Sequence, residues 1–252
     1  PDGVVLVTGP TGSGKTTTLY ACLGQINKPD KKLITVEDPV EYQMSGINQV
    51  QVNKDVGLDF AAALRSILRQ APNIVMIGEI RDEETADIAM EAALTGHLVF
   101  STLHTNDAPS AVTRLTDMGV KPFLVASALR AAMAQRLVRA ICANCKQEYK
   151  ASDRDLKMLG TFAKTIPDHM YEGAGCPTCS QSGYKGRKGI FEIFEVDDTI
   201  QRLIFDHAPS TVLRERAREM GMRTLREDGM LKVASGMTSL KQVLQATMGD
   251  AD

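Results

Sequence analysis

Short apolar runs alternate with stretches of helical periodicity over the first 140 residues of the chain. Strands are predicted at residues 4–7, 32–37, 47–53, 74–77 and 98–103. Helices are predicted at residues 17–23, between the N-cap Asp59 and Pro72, and at 85–94, 109–118 and 123–136. This alternation is typical of an α/β fold in which helices cover a sheet.

The composition changes at Cys142, where the regular alternation stops. Residues 142–189 are rich in Cys, Gly and Lys and have little periodicity. A strand at 190–196 follows, and then short helices near 199–206, 210–220 and 239–247. We therefore expect three parts, namely an α/β core at 1–140, a cysteine-bearing subdomain at 141–189 and a small, mostly helical part at 190–252.

A complete phosphate-binding loop pattern, G-x-x-x-x-G-K-[ST], lies between the first strand and the first helix, which Gly24 is expected to end. Its glycines allow backbone N–H groups to converge on phosphate oxygens at the helix N-terminus. Lys15 can reach the β- and γ-phosphates, and the Thr16 hydroxyl can ligate Mg²⁺. The residues expected to bind a nucleoside triphosphate are Gly9, Pro10, Thr11, Gly12, Ser13, Gly14, Lys15, Thr16 and Thr17.

Two later strands end in carboxylates, where ligands of open α/β sheets bind. Glu79 follows the strand at 74–77 and has the position of an acid that organises Mg²⁺. Glu37, Asp38 and Glu41 follow the second strand. Hydrolysis needs one group that polarises a water molecule, and spacing does not choose between Glu37 and Glu41. The alternative is that these acids are ordinary solvated strand ends.

Two histidines flank the strand at 98–103. His104 lies at its carboxyl end and is predicted to sense the γ-phosphate. His97 lies at the opposite end, about 23 Å away in extended chain, so the two rings cannot share one phosphate. We expect His97 to be a structural residue or an interface contact.

Four cysteines form two Cys-x-x-Cys pairs, Cys142 with Cys145 and Cys176 with Cys179. This arrangement predicts a closed, structural Zn²⁺ site, and the intervening segment is expected to carry a helix or loop of its own. Redox chemistry and unmetallated thiols are the alternatives. The fifth cysteine, Cys22, is interpreted as a small buried hydrophobe.

Composition narrows the class of function. The chain has 252 residues, 43% of them hydrophobic, a net charge of −2 and no Trp. A nucleic acid partner is not favoured, because basic runs and aromatic stacking residues are scarce. No apolar stretch is long enough for a membrane helix and no signal peptide opens the chain, which favours a cytoplasmic protein. Because the loop begins nine residues into the chain, we expect a C-terminal piece of a longer protein.

Four sequence stretches together resemble the ATPases of type II secretion and type IV pilus assembly. They are 9–16 (GPTGSGKT), 35–41 (TVEDPVE), 78–82 (GEIRD) and 95–107 (TGHLVFSTLHTND). The cysteine pairs and the later stretch 183–190 (GYKGRKGI) complete the likeness. The resemblance implies a RecA-like P-loop ATPase core at 1–140 with an inserted tetracysteine zinc subdomain.

The resemblance also implies roles for individual residues. Glu41 corresponds to the water-activating glutamate, Glu79 to the acid that organises Mg²⁺, and His104 to the end of a histidine box. ATP, Mg²⁺ and Zn²⁺ are the implied cofactors. The retraction branch of the pilus motors lacks the cysteine pairs, so the chain resembles the extension and secretion branch.

Such proteins act as homohexamers at the cytoplasmic face of the inner membrane, where they drive a membrane platform protein. The resemblance therefore implies membrane association through partners only. The family's preceding domain is missing here, so a mostly monomeric fragment with little ATP turnover is expected. Ring ATPases use arginines across subunit boundaries, and the candidates are Arg65, Arg69, Arg81 and Arg114.

Two other functions remain as alternatives. One is a RecA-like nucleic-acid translocase or helicase, against which the near-neutral charge counts. The other is a non-catalytic nucleotide-binding scaffold whose zinc module is the working surface. The sequence does not decide between secretion and pilus assembly.

Overall fold

The computed structural model describes residues 2–164 and 169–248, and within them it contains nine strands and ten α-helices. The strands are β1 (Gly3–Thr8), β2 (Leu33–Glu37), β3 (Asn48–Gln51), β4 (Ile74–Ile77), β5 (Leu98–Leu103), β6 (Leu129–Ile141), β7 (Lys146–Lys150), β8 (His169–Gly173) and β9 (Tyr184–Glu195). The helices are α1 (Lys15–Ile26), α2 (Phe60–Leu68), α3 (Glu83–Leu94), α4 (Ser110–Asp117), α5 (Pro122–Ala128), α6 (Asp153–Leu159), α7 (Asp198–Phe205), α8 (Ser210–Glu219), α9 (Leu225–Ala234) and α10 (Leu240–Ala246).

Seven strands form one sheet in the order β3-β2-β4-β5-β1-β6-β9. The five pairings from β3 to β6 are parallel. Strands β7 and β8 form a separate antiparallel pair. Parallel neighbours joined by crossover helices define an α/β fold, so the predicted fold class is confirmed.

The described residues divide into two compact units. The first contains residues 2–11, 15–134 and 193–222, and the second contains 12–14, 135–164, 169–192 and 223–248. The three-part division at 140 and 189 stays a prediction, and residues 165–168 and 249–252 of its second and third parts lie outside the described residues. Among the residues that are described, no helix combines the length and apolar character needed to cross a bilayer.

The core of the first unit forms where α1 packs on the sheet. Its buried residues are Val7, Leu19, Tyr20, Leu23, Leu33, Ile74, Met76 and Phe100. Helix α2 begins where expected, because the Asp59 carboxylate accepts a hydrogen bond from the Ala62 backbone N–H at 2.8 Å. Asp82 caps α3 in the same way through Thr85 N–H. These caps and the apolar core fix the positions of the strand ends that carry the candidate site.

The predicted helix at 123–136 is wrong in its second half. Helix α5 ends at Ala128, and β6 runs from Leu129 to Ile141. Its residues 129–141 (LRAAMAQRLVRAI) are mostly good helix formers. Pairing with β1 overrides this preference, since Val4 to Thr8 lie opposite residues 129–134 of β6.

Other boundaries also differ from the prediction. Gly24 does not end the first helix, which begins at Lys15 and continues to Ile26. Helix α9 was not predicted, although Thr224 and Glu227 form a capping box at its start. The expected helix between the cysteine pairs is present as α6, which Ser152 and Asp155 cap in the same manner.

Candidate nucleotide and metal sites

The phosphate-loop segment connects the end of β1 to the first turn of α1. Lys15 Nζ donates hydrogen bonds to the backbone oxygens of Gly9 at 2.7 Å and Pro10 at 3.0 Å. The lysine therefore folds back over its own loop. The first turn of α1 contains no acidic residue, so its partial positive charge is available to an anion.

Gly14 shows why this loop needs glycine. Its φ is +90°, and a Cβ built there would lie 2.8 Å from Gln135 Nε2. The same Gln135 amide donates to the Ser13 backbone oxygen at 2.9 Å.

The Ser13 hydroxyl is buried and has no hydrogen-bond partner among the described residues, and the same holds for the Thr8 hydroxyl. Buried hydroxyls without partners are costly, which fits a segment built to meet a polar ligand.

The carboxyl ends of four neighbouring parallel strands meet at one edge of the sheet. Strands β2, β4, β5 and β1 are adjacent in that order. Register places Val36 opposite Ile77 and Thr8 opposite Leu103. The phosphate loop, the acidic segment after β2, Glu79 and His104 each follow one of these ends, as expected for ligand sites of open α/β sheets.

Glu79 lies close to side chains from two segments. Its carboxylate forms an ion pair with Arg81 and lies 3.7 Å from His104 Nε2. The Glu79 side chain is 12% exposed, whereas that of His104 is 49% exposed. Thr102 fixes the adjoining backbone, because its hydroxyl donates to Gly78 O at 2.7 Å. The structure therefore brings together the predicted Mg²⁺-organising acid and the predicted γ-phosphate sensor.

His97 is held at the other end of β5. Its Nδ1 lies 2.8 Å from Ala92 O and 3.2 Å from the Thr95 hydroxyl. These contacts attach the ring to the C-terminus of α3, which agrees with a structural role.

Glu37 and Glu41 have different environments. Glu37 is 3% exposed, and it accepts hydrogen bonds from the Tyr20 and Thr35 hydroxyls and from Gln49 Nε2. Burial, and then the contact with Glu37, raises the pKa of Tyr20. Glu41 is exposed. Glu37 is thus fully engaged in the core, and of the two glutamates Glu41 is the accessible one. The sequence did not single out Tyr20 or Gln49, although the polar–apolar alternation of β3 was a signal for the latter.

The four predicted zinc ligands converge. The Sγ atoms of Cys142, Cys145, Cys176 and Cys179 all lie within 4.8 Å of one another. Three of the distances between them are 3.7, 3.8 and 3.9 Å. Four sulfurs bound to one Zn²⁺ at about 2.3 Å would be about 3.8 Å apart in a tetrahedron. The geometry is therefore compatible with zinc.

The surroundings of two of these cysteines shift their pKa values in opposite directions. Burial opposes ionisation of Cys179, but hydrogen bonds from the N–H groups of Cys176 and Gly183 and from the Cys176 and Cys145 thiols together lower the pKa of Cys179 to about 6. Burial, together with hydrogen bonds among the thiols, raises the pKa of Cys145 to about 12. Cys179 therefore ionises more readily than Cys145, and a bound cation would stabilise the thiolate form of its ligands. Cys22 lies apart from the cluster, half-buried against the core of the first unit.

The four candidate arginines are all exposed. Arg65 forms an ion pair with Glu84, and Arg81 forms the pair with Glu79. Arg69 follows the last residue of α2, and Arg114 lies on α4.

The fold and these sites define a phosphate-loop α/β protein with an added tetracysteine cluster. The sequence profile of the family described as "Type II/IV secretion system protein" matches residues 1–245. The chain belongs to this family.

Individual relatives agree with this assignment. The chain is 54% identical over 247 residues to "Type II secretion system protein HxcR" of Pseudomonas aeruginosa, covering 98% of the chain and 49% of that protein. It is 53% identical over 249 residues to "Type IV pilus assembly ATPase PilB" of Thermus thermophilus, covering 98% and 28%. The chain thus spans about half or less of the length of these relatives.

A solved structure extends the comparison. The crystal structure of the pilus retraction motor PilT with bound ADP matches with a TM-score of 0.73 and 29% sequence identity. The match covers 99% of this chain and 62% of that one.

Proposed function

We propose that this chain is the ATP-hydrolysing part of a motor that powers type II secretion or type IV pilus extension. The observation that carries the proposal is the meeting of Glu79 with His104 and Arg81 at the sheet edge where the phosphate loop follows β1. Relatives named as secretion and pilus-assembly proteins support it, as does the ADP bound to the retraction motor. They favour the motor over the nucleic-acid translocase.

The proposed roles combine the family resemblance with the positions of these residues. Residues 9–17 bind the triphosphate, and Lys15 exchanges its hydrogen bonds to the loop carbonyls for phosphate oxygens. The Thr16 hydroxyl and Glu79 would hold Mg²⁺, which would neutralise charge on the phosphates when bound. Glu41 accepts a proton from the attacking water. His104 donates a hydrogen bond toward the γ-phosphate from its position beside Glu79.

The tetracysteine cluster is proposed to bind Zn²⁺ through all four thiolates. Four protein ligands would leave no open position on the ion, so it would stabilise the fold and would not activate water. We further propose a homohexamer at the cytoplasmic face of the inner membrane, in contact with a membrane platform protein. One or more of Arg65, Arg69, Arg81 and Arg114 would then act across subunit boundaries.

The test uses the full-length protein encoded by the gene. Phosphate release and binding of a fluorescent ATP analogue are measured for the parent, Glu41→Gln and Lys15→Ala. We expect Glu41→Gln to bind the nucleotide but to hydrolyse it at least 100-fold more slowly, and Lys15→Ala to lose binding. Asp55→Asn removes an exposed carboxylate from the turn Lys54–Val56 and is the control.

Two results would contradict the proposal. One is a parent protein that binds ATP and releases no phosphate, which would leave the non-catalytic scaffold. The other is parental turnover in Glu41→Gln, which would remove Glu41 from the chemistry.

A further inference from the structure

Two glutamines of β3, Gln49 and Gln51, have no part in the nucleotide chemistry described above. They are two residues apart on a strand, so their side chains share one face of the sheet. Strand β3 pairs in parallel with β2, and register places Gln49 opposite Thr35 and Gln51 opposite Glu37. The loop at residues 38–47, which carries Glu41, connects these two strands.

Both glutamines hydrogen-bond to the backbone of that loop. The Val40 N–H donates to Gln51 Oε1 at 3.2 Å. Gln49 makes two such contacts, since its Nε2 donates to Tyr42 O at 3.1 Å and its Oε1 accepts from Met44 N–H at 2.7 Å. The residues immediately before and after Glu41 are therefore both held by side chains of β3.

The loop backbone determines which way the Gln49 amide faces, because Tyr42 O can only accept a hydrogen bond and Met44 N–H can only donate one. Glu37 supports the same orientation, since its Oε1 accepts a hydrogen bond from Gln49 Nε2 at 3.2 Å. The amide nitrogen must point to Glu37 and Tyr42 O, which leaves its oxygen for Met44 N–H. Glu37 is itself fixed by a hydrogen bond from the Tyr20 hydroxyl. The Tyr20 ring also packs edge-on against the Tyr42 ring, with 4.6 Å between the ring centroids.

We propose that Gln49 and Gln51 are positioning residues that hold the Glu41 carboxylate where it can accept a proton from the attacking water. The inference rests on the proposed function, because it concerns the role of Glu41. A displacement of about 1 Å in a catalytic group can cost about 100-fold in rate. Exposed Glu41 has little packing of its own to maintain that position, so the loop backbone must supply it.

The first experiment measures the loop without using activity. Amide hydrogen exchange at Val40 and Met44 is followed by NMR in this chain. Gln51→Met should speed exchange at Val40, and Gln49→Met should speed exchange at Met44, each at least 10-fold. Gln51→Glu keeps an acceptor oxygen, and because the side chain is exposed the added charge stays hydrated. It should therefore keep Val40 protected.

The second experiment measures ATP turnover in the full-length protein. We expect Gln49→Met and Gln51→Met to lower kcat about 10- to 100-fold while KM for ATP stays within about twofold. Gln51→Glu should recover most of the kcat. Gln43→Met, an exposed substitution in the same loop, is the matched control and should behave as the parent.

The outcomes separate this inference from the proposed function. If Glu41→Gln is inactive while Gln49→Met and Gln51→Met retain parental kcat, the positioning role is wrong and the motor stands. Equal losses in kcat and ATP affinity would also overturn it, because they indicate general damage to the fold. If Glu41→Gln itself hydrolyses normally, the proposed function fails and this inference fails with it.

Discussion

Asp107 forms an ion pair with Arg214, in which Arg214 Nη2 lies 2.9 Å from Asp107 Oδ2. The Asp107 side chain is only 15% exposed and that of Arg214 only 18%. Asp107 belongs to the segment after β5 that also carries His104. Its other oxygen, Oδ1, accepts a hydrogen bond from Ser110 N–H at the start of α4. Arg214 lies on α8, so this ion pair attaches a late helix to the segment of the candidate γ-phosphate sensor.

Arg214→Met should lower the free energy of unfolding by about 1–3 kcal/mol, since it removes a charged partner from a largely buried carboxylate. Urea denaturation of this chain measures the change. Arg65→Met is the control, because the Arg65–Glu84 pair is 53% and 58% exposed and should contribute less than about 1 kcal/mol. Equal effects of the two substitutions would show that the buried pair is no stronger than the surface pair.

Metal binding should depend on the cysteine cluster alone. Cys142→Ser is expected to reduce bound Zn²⁺ below stoichiometric content and to lower the thermal stability of the protein. Elemental analysis of the purified chain measures the metal. Cys22→Ala, which changes the one cysteine outside the cluster, should retain full metal content. Stoichiometric zinc in Cys142→Ser would remove Cys142 from the ligand set.

Gly14→Ala should abolish ATP binding. The added Cβ would need the strained φ of +90° and would lie 2.8 Å from Gln135 Nε2, whose hydrogen bond to Ser13 O shapes the loop. Gly57→Ala provides a matched control, because φ is +74° there and nothing lies within 4 Å of the added atom. Isothermal titration with ATP and Mg²⁺ should show binding in Gly57→Ala only. Tight binding in Gly14→Ala would contradict this description of the loop.

The sequence predicts those parts of the fold that local chemistry controls. The apolar runs predicted as strands at 4–7, 32–37, 74–77 and 98–103 coincide with β1, β2, β4 and β5. Asp59 caps α2 as expected. Strand β6 was missed because its Ala, Leu, Met and Arg residues favour a helix, while its partner β1 lies more than 120 residues earlier in the chain. No window of sequence contains that pairing.

The same limit applies to the candidate sites. Residue types and motif spacing predict the phosphate loop and the four cysteines, whose sulfurs converge as expected. Spacing does not distinguish Glu37 from Glu41, because the difference between them is burial. Tyr20 on α1 and Gln49 on β3 donate hydrogen bonds to the buried Glu37, whereas Glu41 is exposed. Only the packing of separate elements shows this.

Asp197 should make stability depend on pH in the acid range. The N–H of Ile200, and then the Arg216 side chain, hold the pKa of Asp197 below its ordinary value of 3.8. A carboxyl group with a lowered native pKa stabilises the fold fully above the unfolded pKa, and this contribution is lost as the pH falls through the native pKa. Asp197→Asn keeps an acceptor oxygen for Ile200 N–H but removes the charge. The variant should therefore melt at a lower temperature than the parent at neutral pH, and the difference in melting temperature should shrink below pH 3.8.

Asp198→Asn, which removes a neighbouring exposed carboxylate, is the control. A difference between Asp197→Asn and the parent that stays constant with pH would show that Asp197 does not stabilise the fold through its charge.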